Sequence, residues 1–83
     1  MLTDPKWSAM KKNSLAIQIG RALRSRRESE GLSQDRFADH IGMHRAYYAA
    51  IERGEKNVTL PTLKRIADGL QVPMSDILRD IGN

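Results

Sequence analysis

Apolar residues recur at the spacing of an α-helix along most of the chain. Leu15, Ile19 and Leu23 stand four residues apart and follow Ser14, a residue type favoured at a helix N-cap. Glycine is favoured just beyond the end of a helix. The pattern therefore predicts a helix that begins at Ser14, carries one apolar stripe and ends before Gly31.

The segment upstream of this helix is open to two interpretations. Asp4 and Pro5 have the residue types preferred at the N-cap and the first helical position. Trp7 and Met10 follow three residues apart, as on one face of a helix. The same segment is equally consistent with a poorly ordered terminal arm.

Start and stop signals predict three further helices. Ser33 caps a helix that Gly42 ends, a second helix runs from Arg45 to about Arg53 and is stopped by Gly54, and Thr59 caps a third from Leu60 to Leu70. The apolar stripes of these helices are formed by Phe37, Ala38, Ile41, Tyr48, Ile51, Leu60, Leu63, Ile66, Ala67 and Leu70. A last short helix follows Pro73.

No segment alternates as a half-buried strand does, so we expect an all-α, compact five-helix fold. The helical domain should span residues 14–83, with residues 1–13 as an N-terminal extension. A chain of 83 residues buries only about 60% of its unfolded surface, so association with a second copy would add burial. Gly69, inside the fourth helix, should weaken that helix by up to about 1 kcal/mol relative to alanine.

The net charge of +4 suits an acidic partner. Residues 1–57 hold eleven of the fourteen basic and seven of the ten acidic residues, so the whole excess lies in that part. The sequence has no cysteine and no apolar stretch near the roughly 20 residues that cross a bilayer. We therefore expect no disulfide, no thiolate chemistry and no membrane partner.

Residues 33–54 have the form of a helix-turn-helix, with two short helices joined by a three-residue turn that contains Gly42. Ala38 is small where the two helices must cross closely. Tyr48 and Ile51 can anchor the second helix to the body of the domain, so that its other face points outward.

Several motifs stand at fixed spacing along this region: Gly31-Leu32-Ser33-Gln34, Phe37-Ala38, Ile51-Glu52-Arg53-Gly54, and Thr59-Leu60 followed by Leu63, Ile66-Ala67 and Leu70. With them the chain resembles the Cro/cI-type helix-turn-helix (XRE) family over about residues 15–81. The stretch from His44 to Leu60 is also similar to controller proteins of restriction–modification systems. The resemblance implies a lambda-repressor-like domain with its helix-turn-helix at about residues 33–53, and a DNA-binding transcriptional regulator, for example a repressor.

The resemblance also implies which residues meet DNA. The outward positions of the recognition helix, which read base edges, correspond to Arg45, Ala46, Ala49 and Ala50, with His44 and Tyr47 beside them. Arginine can bond guanine O6 and N7 together, whereas alanine offers only a methyl contact, so Arg45 should be the main reader. Phosphate contacts, which fix register without reading sequence, are implied for Gln34, Lys56 and Asn57.

Other family positions are structural or unusual. The family pairs the glutamate before the helix-ending glycine with an arginine on the first helix, which implies an ion pair between Glu52 and Arg27. Tyr48 replaces a residue that is usually aliphatic. Arg26 replaces one that is usually apolar, and it either snorkels or adds to the basic face.

The sequence also raises two other classes of function, an enzyme or metal site and a protein-interaction module. His40 and His44 are four apart, but Gly42 between them breaks the helix, so a metal site or an enzyme built on them is not expected. The acidic pairs Glu28/Glu30 and Glu52/Glu55 are expected on solvated surface rather than in a catalytic site, and no cofactor is implied. The second class is an antitoxin-type interaction module whose main role is to bind a partner protein, with DNA binding secondary.

We expect a homodimer, because one recognition helix reads too few base pairs for a unique site. Two such helices about 34 Å apart read a palindromic operator in double-stranded DNA. The dimer surface should be the C-terminal helix, through Ile77, Leu78 and Ile81, unless these only close the monomer core. The side chains of Trp7 and Met10 could also pack across the dimer. No sensor domain is visible, so we expect no small-molecule ligand, and the expected location is the cytoplasm of a bacterium, on the nucleoid or as a phage product.

Overall fold

The computed structural model describes the backbone of residues 5–82 and the side chains of residues 15–82. Its helices are α1 (Pro5–Ser29), α2 (Gln34–His40), α3 (Arg45–Glu52), α4 (Leu60–Gly69) and α5 (Met74–Ile81). The described residues contain no strand. The predicted all-α, five-helix fold is confirmed.

Helix α1 begins at Pro5 and continues through Ser14 without a break, so the predicted helix start at Ser14 is wrong. Neither glycine nor proline stands between these two residues, and nothing else there interrupts a helix. At 25 residues, α1 is long enough to cross a bilayer. Neither it nor another helix in the described part of the chain has a stretch apolar enough to do so. The side chains of Trp7 and Met10, and with them the expected dimer contact, lie outside the described residues.

Two leucines that the apolar pattern assigned to the core are exposed, Leu15 by 53% and Leu60 by 65%. On α1 the buried face instead runs through Ala16, Gly20, Leu23 and Arg27. Because Gly20 and Arg27 are not hydrophobic, the pattern of apolar residues alone does not predict that this face of α1 is buried. Leu60 is the first residue of α4, and burial on that helix begins one turn later.

The core lies where the helices meet. Its largest fully buried side chains are Leu23, Phe37, Tyr48, Ile51, Ile66 and Ile77. Helix α3 packs on α1 and α2, while α5 packs on α1 and α4. The rings of Phe37 and Tyr48 lie 5.2 Å apart between centroids and tilted by 58°, a favourable aromatic arrangement. This confirms that Tyr48 anchors α3 to the body of the domain.

The first four helices end in the same Schellman motif, with a left-handed residue directly after the last turn. Gly42 fills this position in α2 with a φ of 66°, as predicted, and glycine fills it after α1 and α3. Gln71 fills it after α4 with a φ of 61°. Its N–H bonds the carbonyl of Asp68, and that of Val72 bonds the carbonyl of Ala67. Gln71 thus adopts a backbone conformation that glycine adopts without strain.

Two other glycines allow close packing between helices. A Cβ on Gly20 would lie 2.7 Å from the carbonyl oxygen of Ile51, so α1 crosses the end of α3 backbone to backbone. A Cβ on Gly69 would overlap the Cγ2 atom of Ile41 and lie 3.3 Å from the ring of Phe37. The expectation that Gly69 merely weakens α4 is therefore corrected, because the packing of α4 on α2 leaves no room for a side chain.

Candidate nucleic-acid interface

Helices α2 and α3 form the predicted helix-turn-helix. The Oγ atom of Ser33 accepts a hydrogen bond from the backbone N–H of Arg36 at 3.1 Å and so caps α2. Arg65 on α4 donates to the carbonyl oxygens of Ile41 at 2.9 Å and of Gly42 at 2.8 Å. No sequence pattern indicates these two hydrogen bonds, because Arg65 lies more than twenty residues from the carbonyl groups it binds. They fix the turn to the body of the domain.

A buried ion pair joins α1 to α3. The Nε and Nη2 atoms of Arg27 donate to Glu52 at 2.7 Å and 3.0 Å, and both side chains are almost fully buried. Nη1 of Arg27 also donates to the carbonyl oxygen of Leu32 at 2.6 Å. The structure thus brings together the two residues that the family resemblance paired.

Gln34, expected to contact phosphate, takes part in the same cluster. Its side-chain Nε2 donates to Glu52 at 2.9 Å, so the amide nitrogen faces inward rather than towards a ligand. Burial opposes the ionisation of Glu52, but the hydrogen bonds that Arg27 and Gln34 donate to it outweigh burial, helped by the polar hydroxyl of Tyr48 nearby. The pKa of Glu52 is therefore lower than its ordinary value.

The hydroxyl of Tyr48 is also buried in this cluster. It has no hydrogen-bond partner among the described residues, although the carboxylate of Glu52 is a neighbour. Burial first, and then this carboxylate, raise the pKa of Tyr48. The phenol is therefore neutral at physiological pH. Its buried hydroxyl lowers the stability of the fold because it lacks a hydrogen bond.

The outward side of α3 carries the recognition face, which we define as Arg45, Ala46, Tyr47 and Ala49. The first three residues are exposed and Ala49 is half-buried. Ala50, predicted to read bases from the same face, is instead 6% exposed. It lies in the last turn of α3, where the chain folds back and the N–H of Glu55 donates to its carbonyl oxygen at 2.9 Å. This burial corrects the expected outward position of Ala50.

Arg45 is exposed but not unpaired. Its Nε donates to Oδ1 of Asp39 at 3.1 Å and its Nη2 to Oδ2 at 2.7 Å. The carboxylate of Asp35 lies 3.6 Å from its Nη1. The hydrogen bond with Arg45 lowers the pKa of Asp39, so that carboxylate is ionised at neutral pH. The sequence did not place either acidic residue near Arg45, since no helical spacing relates α2 to α3.

Polar side chains flank the recognition face at both ends. His44 is the exposed N-cap residue of α3 and makes no side-chain capping bond. Lys56 and Asn57 are exposed in the loop after α3. Arg36, in the first turn of α2, is also exposed and was not predicted as a site residue. Arg36 lies two residues after Gln34, in the same turn of α2, and this closeness to an expected phosphate contact is a sequence signal that could have identified it.

Ion pairs neutralise most of the arginines in the part of the chain that carries the net charge. Within residues 15–82, the carboxylates reach Arg24, Arg26, Arg27, Arg45 and Arg53. No carboxylate of that range lies within ion-pair distance of Arg21, Arg36 or Lys56. Arg36 within α2 and Lys56 just after α3 are therefore exposed charges that no carboxylate of that range neutralises.

Helix α5 only partly matches the predicted dimer surface. Ile77 is fully buried and closes the monomer core, so its assignment to an interface is wrong. Leu78 is 43% exposed and Ile81 is half-buried. Arg26 does not add an unpaired charge to the basic face, because it donates to Asp80 at 2.7 Å and 3.1 Å. This ion pair, which neither alternative included, ties α1 to α5.

The two histidines considered for a metal site lie on different elements. His40 is the last residue of α2, and His44 precedes α3 beyond the glycine turn. Within the described ranges no three histidine, cysteine, aspartate or glutamate side chains are grouped as metal ligands would be.

Comparison with known proteins places this geometry in a family. The helix-turn-helix family model HTH_3 matches residues 23–77. Control protein C.MunI of a Mycoplasma species is 40% identical over 70 residues, which cover 83% of this chain and 95% of that protein.

Solved structures agree with this relationship. The restriction-modification controller protein C.AhdI from Aeromonas hydrophila has a TM-score of 0.74 and 31% identity, with coverage of 77% of this chain and 97% of that one. The restriction-modification controller protein C.Esp1396I, solved as a tetramer with its natural 35 base-pair operator, has a TM-score of 0.72 and 25% identity, with coverage of 83% and 96%. The chain therefore belongs to the helix-turn-helix family HTH_3, the XRE family of DNA-binding transcriptional regulators.

Proposed function

We propose that the protein is a restriction–modification controller that binds a palindromic operator as a homodimer, with α3 of each copy in the major groove. The observation that carries this proposal is the recognition face, in which an arginine, an alanine and a tyrosine are exposed beside the half-buried Ala49 on a helix anchored to the core. The relatives named as control proteins support the biological role.

The recognition face has the shape that major-groove reading requires. The groove is about 12 Å wide and admits one helix, and small side chains allow the helix backbone to approach the bases. Ala46 and Ala49 provide such small positions and can touch thymine methyl groups. Arg45 stands at the first turn of α3, where recognition helices contact base edges, and can bond guanine O6 and N7.

Phosphate contacts on both sides would fix the register. Lys56 and Asn57 follow α3, and His44 precedes it. The side-chain nitrogen of Gln34 is bound to Glu52, so its contact would be made by its backbone N–H in the first turn of α2. We add Arg36 to this set because it is exposed in the same first turn of α2 and has no ion-pair partner among the described residues.

The dimer would form through the exposed side of α5. Leu78 and Ile81 leave apolar surface uncovered in the monomer, and Arg26 and Asp80 hold α5 in place on α1. A second copy would cover that surface and supply the second recognition helix. The alternative, an antitoxin-type module directed mainly at a partner protein, is not favoured by relatives that are transcriptional regulators and control proteins.

The experiment that tests DNA reading is a binding-site selection with the purified protein, followed by titration of the selected duplex and a scrambled one. Arg45→Ala should weaken specific binding about 5- to 150-fold and relax the preference at one base pair. Arg24→Ala is the matched control, since it removes an exposed, ion-paired arginine from α1. Equal specificity of Arg45→Ala and the wild type would show that Arg45 is not a reader.

The phosphate contacts have a different signature. Lys56→Ala and Arg36→Ala should weaken both duplexes alike, and each should reduce the slope of log K against log salt by about 0.9. An unchanged slope would remove that residue from the interface. For the biological role, the selected operator should lie upstream of genes for a DNA methyltransferase and a restriction endonuclease. An operator elsewhere would overturn the controller role and leave the DNA reading intact.

A further inference from the structure

Asp39 on α2 holds the side chain that we expect to read DNA from α3. It accepts two hydrogen bonds from Arg45, at 3.1 Å to Nε and 2.7 Å to Nη2. Both side chains are more than half exposed, so the pair lies at the surface beside the recognition face. Asp35 lies one turn earlier on α2 and makes only a 3.6 Å contact with Nη1.

The geometry of this pair leaves the reading edge of Arg45 available. A guanidinium has five N–H groups in one plane. Asp39 takes the Nε edge, with one hydrogen of Nη2. The remaining hydrogens of Nη1 and Nη2 point from the end of the side chain, where two parallel bonds to guanine O6 and N7 can form. Pairing with Asp39 and reading guanine are therefore compatible.

The pair also removes a cost of binding. An arginine side chain has several rotatable bonds, and fixing them on DNA costs conformational entropy. The hydrogen bonds to Asp39 already restrict the Arg45 side chain in the folded protein. Less conformational entropy is therefore lost when Arg45 binds DNA. The same carboxylate repels the phosphates of any DNA, so it should lower affinity for all sequences while it sharpens the choice among them.

We propose that Asp39 is a positioning residue that orients Arg45 and thereby sets part of the preference for guanine at the base that Arg45 reads. This inference rests on the proposed base-reading function of Arg45. It assigns to α2 a share in sequence discrimination, in addition to the phosphate contacts that are expected near its N-terminus.

The test is the ratio of the dissociation constants for scrambled and selected duplexes at one salt concentration. Asp39→Ala and Asp39→Asn should lower this ratio about three- to tenfold while binding to the scrambled duplex becomes tighter. Asp39→Glu should restore most of the ratio. Asp35→Ala is the matched control, because it removes the same charge from the same helix without a hydrogen bond, and should change both constants by a similar factor.

A second mutation distinguishes failure of this inference from failure of the proposed function. In the Arg45→Ala background, Asp39→Ala should leave the ratio unchanged, because there is no guanidinium to orient. If Arg45→Ala alone does not lower the ratio, the base-reading function fails. If Arg45→Ala lowers the ratio but Asp39→Ala leaves it unchanged or raises it, the positioning role is refuted. Asp39 would then only repel DNA phosphates or compete with DNA for Arg45. Circular dichroism melting curves check that each variant is folded.

Discussion

Removing Glu52 should lower the stability of the fold far more than removing Glu55, an exposed carboxylate that also accepts two hydrogen bonds from one arginine. Arg27 donates to Glu52 at 2.7 Å and 3.0 Å, and Arg53 donates to Glu55 at 2.8 Å and 2.9 Å. The two pairs differ in burial, since the side chains are 8% and 2% exposed in the first and 56% each in the second. Burial is thus the main variable in the comparison.

The magnitude follows from what Glu52→Ala leaves behind. Arg27 keeps its charge in the interior without a counterion, and the side-chain nitrogen of Gln34 loses its acceptor. Breaking a buried pair in this way costs about 3–5 kcal/mol. A domain of this size has a total free energy of unfolding of about 4–12 kcal/mol. Glu52→Ala should therefore consume a large share of that free energy, whereas Glu55→Ala should shift it little.

Urea denaturation followed by circular dichroism measures both variants. A shift of the Glu52→Ala midpoint no larger than that of Glu55→Ala would refute the reasoning. The double variant Arg27→Met/Glu52→Leu separates charge from shape, because it removes both charges and keeps apolar volume. It should recover much of the lost stability, and no recovery would indicate that the hydrogen bonds rather than the unpaired charge decide the cost.

Four further outcomes are expected. Because Glu52 has a lowered pKa in the folded state, its stabilisation is present above its ordinary value of 4.5 and is lost as the pH falls through the folded-state pKa; acid titrations of unfolding should show a smaller drop for Glu52→Gln, and an equal drop would contradict this. Gly69→Ala should lower the melting temperature, because overpacking against Ile41 costs about 1–3 kcal/mol against a gain of about 1 kcal/mol in helix propensity; a raised melting temperature would show that α2 yields. Gln71→Gly should raise the free energy of unfolding by about 1 kcal/mol, since it relieves a left-handed residue; an unchanged value in urea denaturation would exclude strain there. Leu78→Asp should shift sedimentation towards the monomer without loss of the fold, and a wild type that is strictly monomeric at tens of micromolar would overturn the dimer.

Four of the helices were predictable because their signals are local. Ser33 and Thr59 cap α2 and α4 through hydrogen bonds to nearby backbone N–H groups, and these depend on a few neighbouring residues. Gly42 and Gly54 end α2 and α3 with backbone bonds of the same local kind. The start of α1 at Pro5 agrees with one of the two interpretations of the N-terminal segment. The continuity of α1 was missed because Ser14 satisfies the N-cap pattern, although a helix can also pass through a serine.

The unpredicted features depend on contacts between distant parts of the chain. Ala50 was assigned to the outward face from the family resemblance, and the fold of the chain after α3 buries it. The need for glycine at position 69 arises from the side chain of Ile41, the residue that follows α2. The pair of Asp39 and Arg45 forms across a turn, where neither helical nor strand spacing applies. Each depends on tertiary packing that residue patterns do not encode.

The close approach of α1 and α3 at Gly20 bears on how an operator can evolve. The carbonyl oxygens at the end of α3 lie directly against α1 at Gly20. No side chain separates the two helices there, so a change of side-chain size cannot alter the tilt of α3 at this point. In the proposed dimer, α5 forms the interface and packs on α1, which in turn packs on α3. The distance between the α3 helices of the two copies therefore depends on backbone geometry. Substitutions in the core would then lower stability before they alter that distance. In such a dimer the residues of α3 that contact bases can change while the half-site spacing stays constant. We therefore expect operators of related proteins to differ more in base sequence than in half-site spacing.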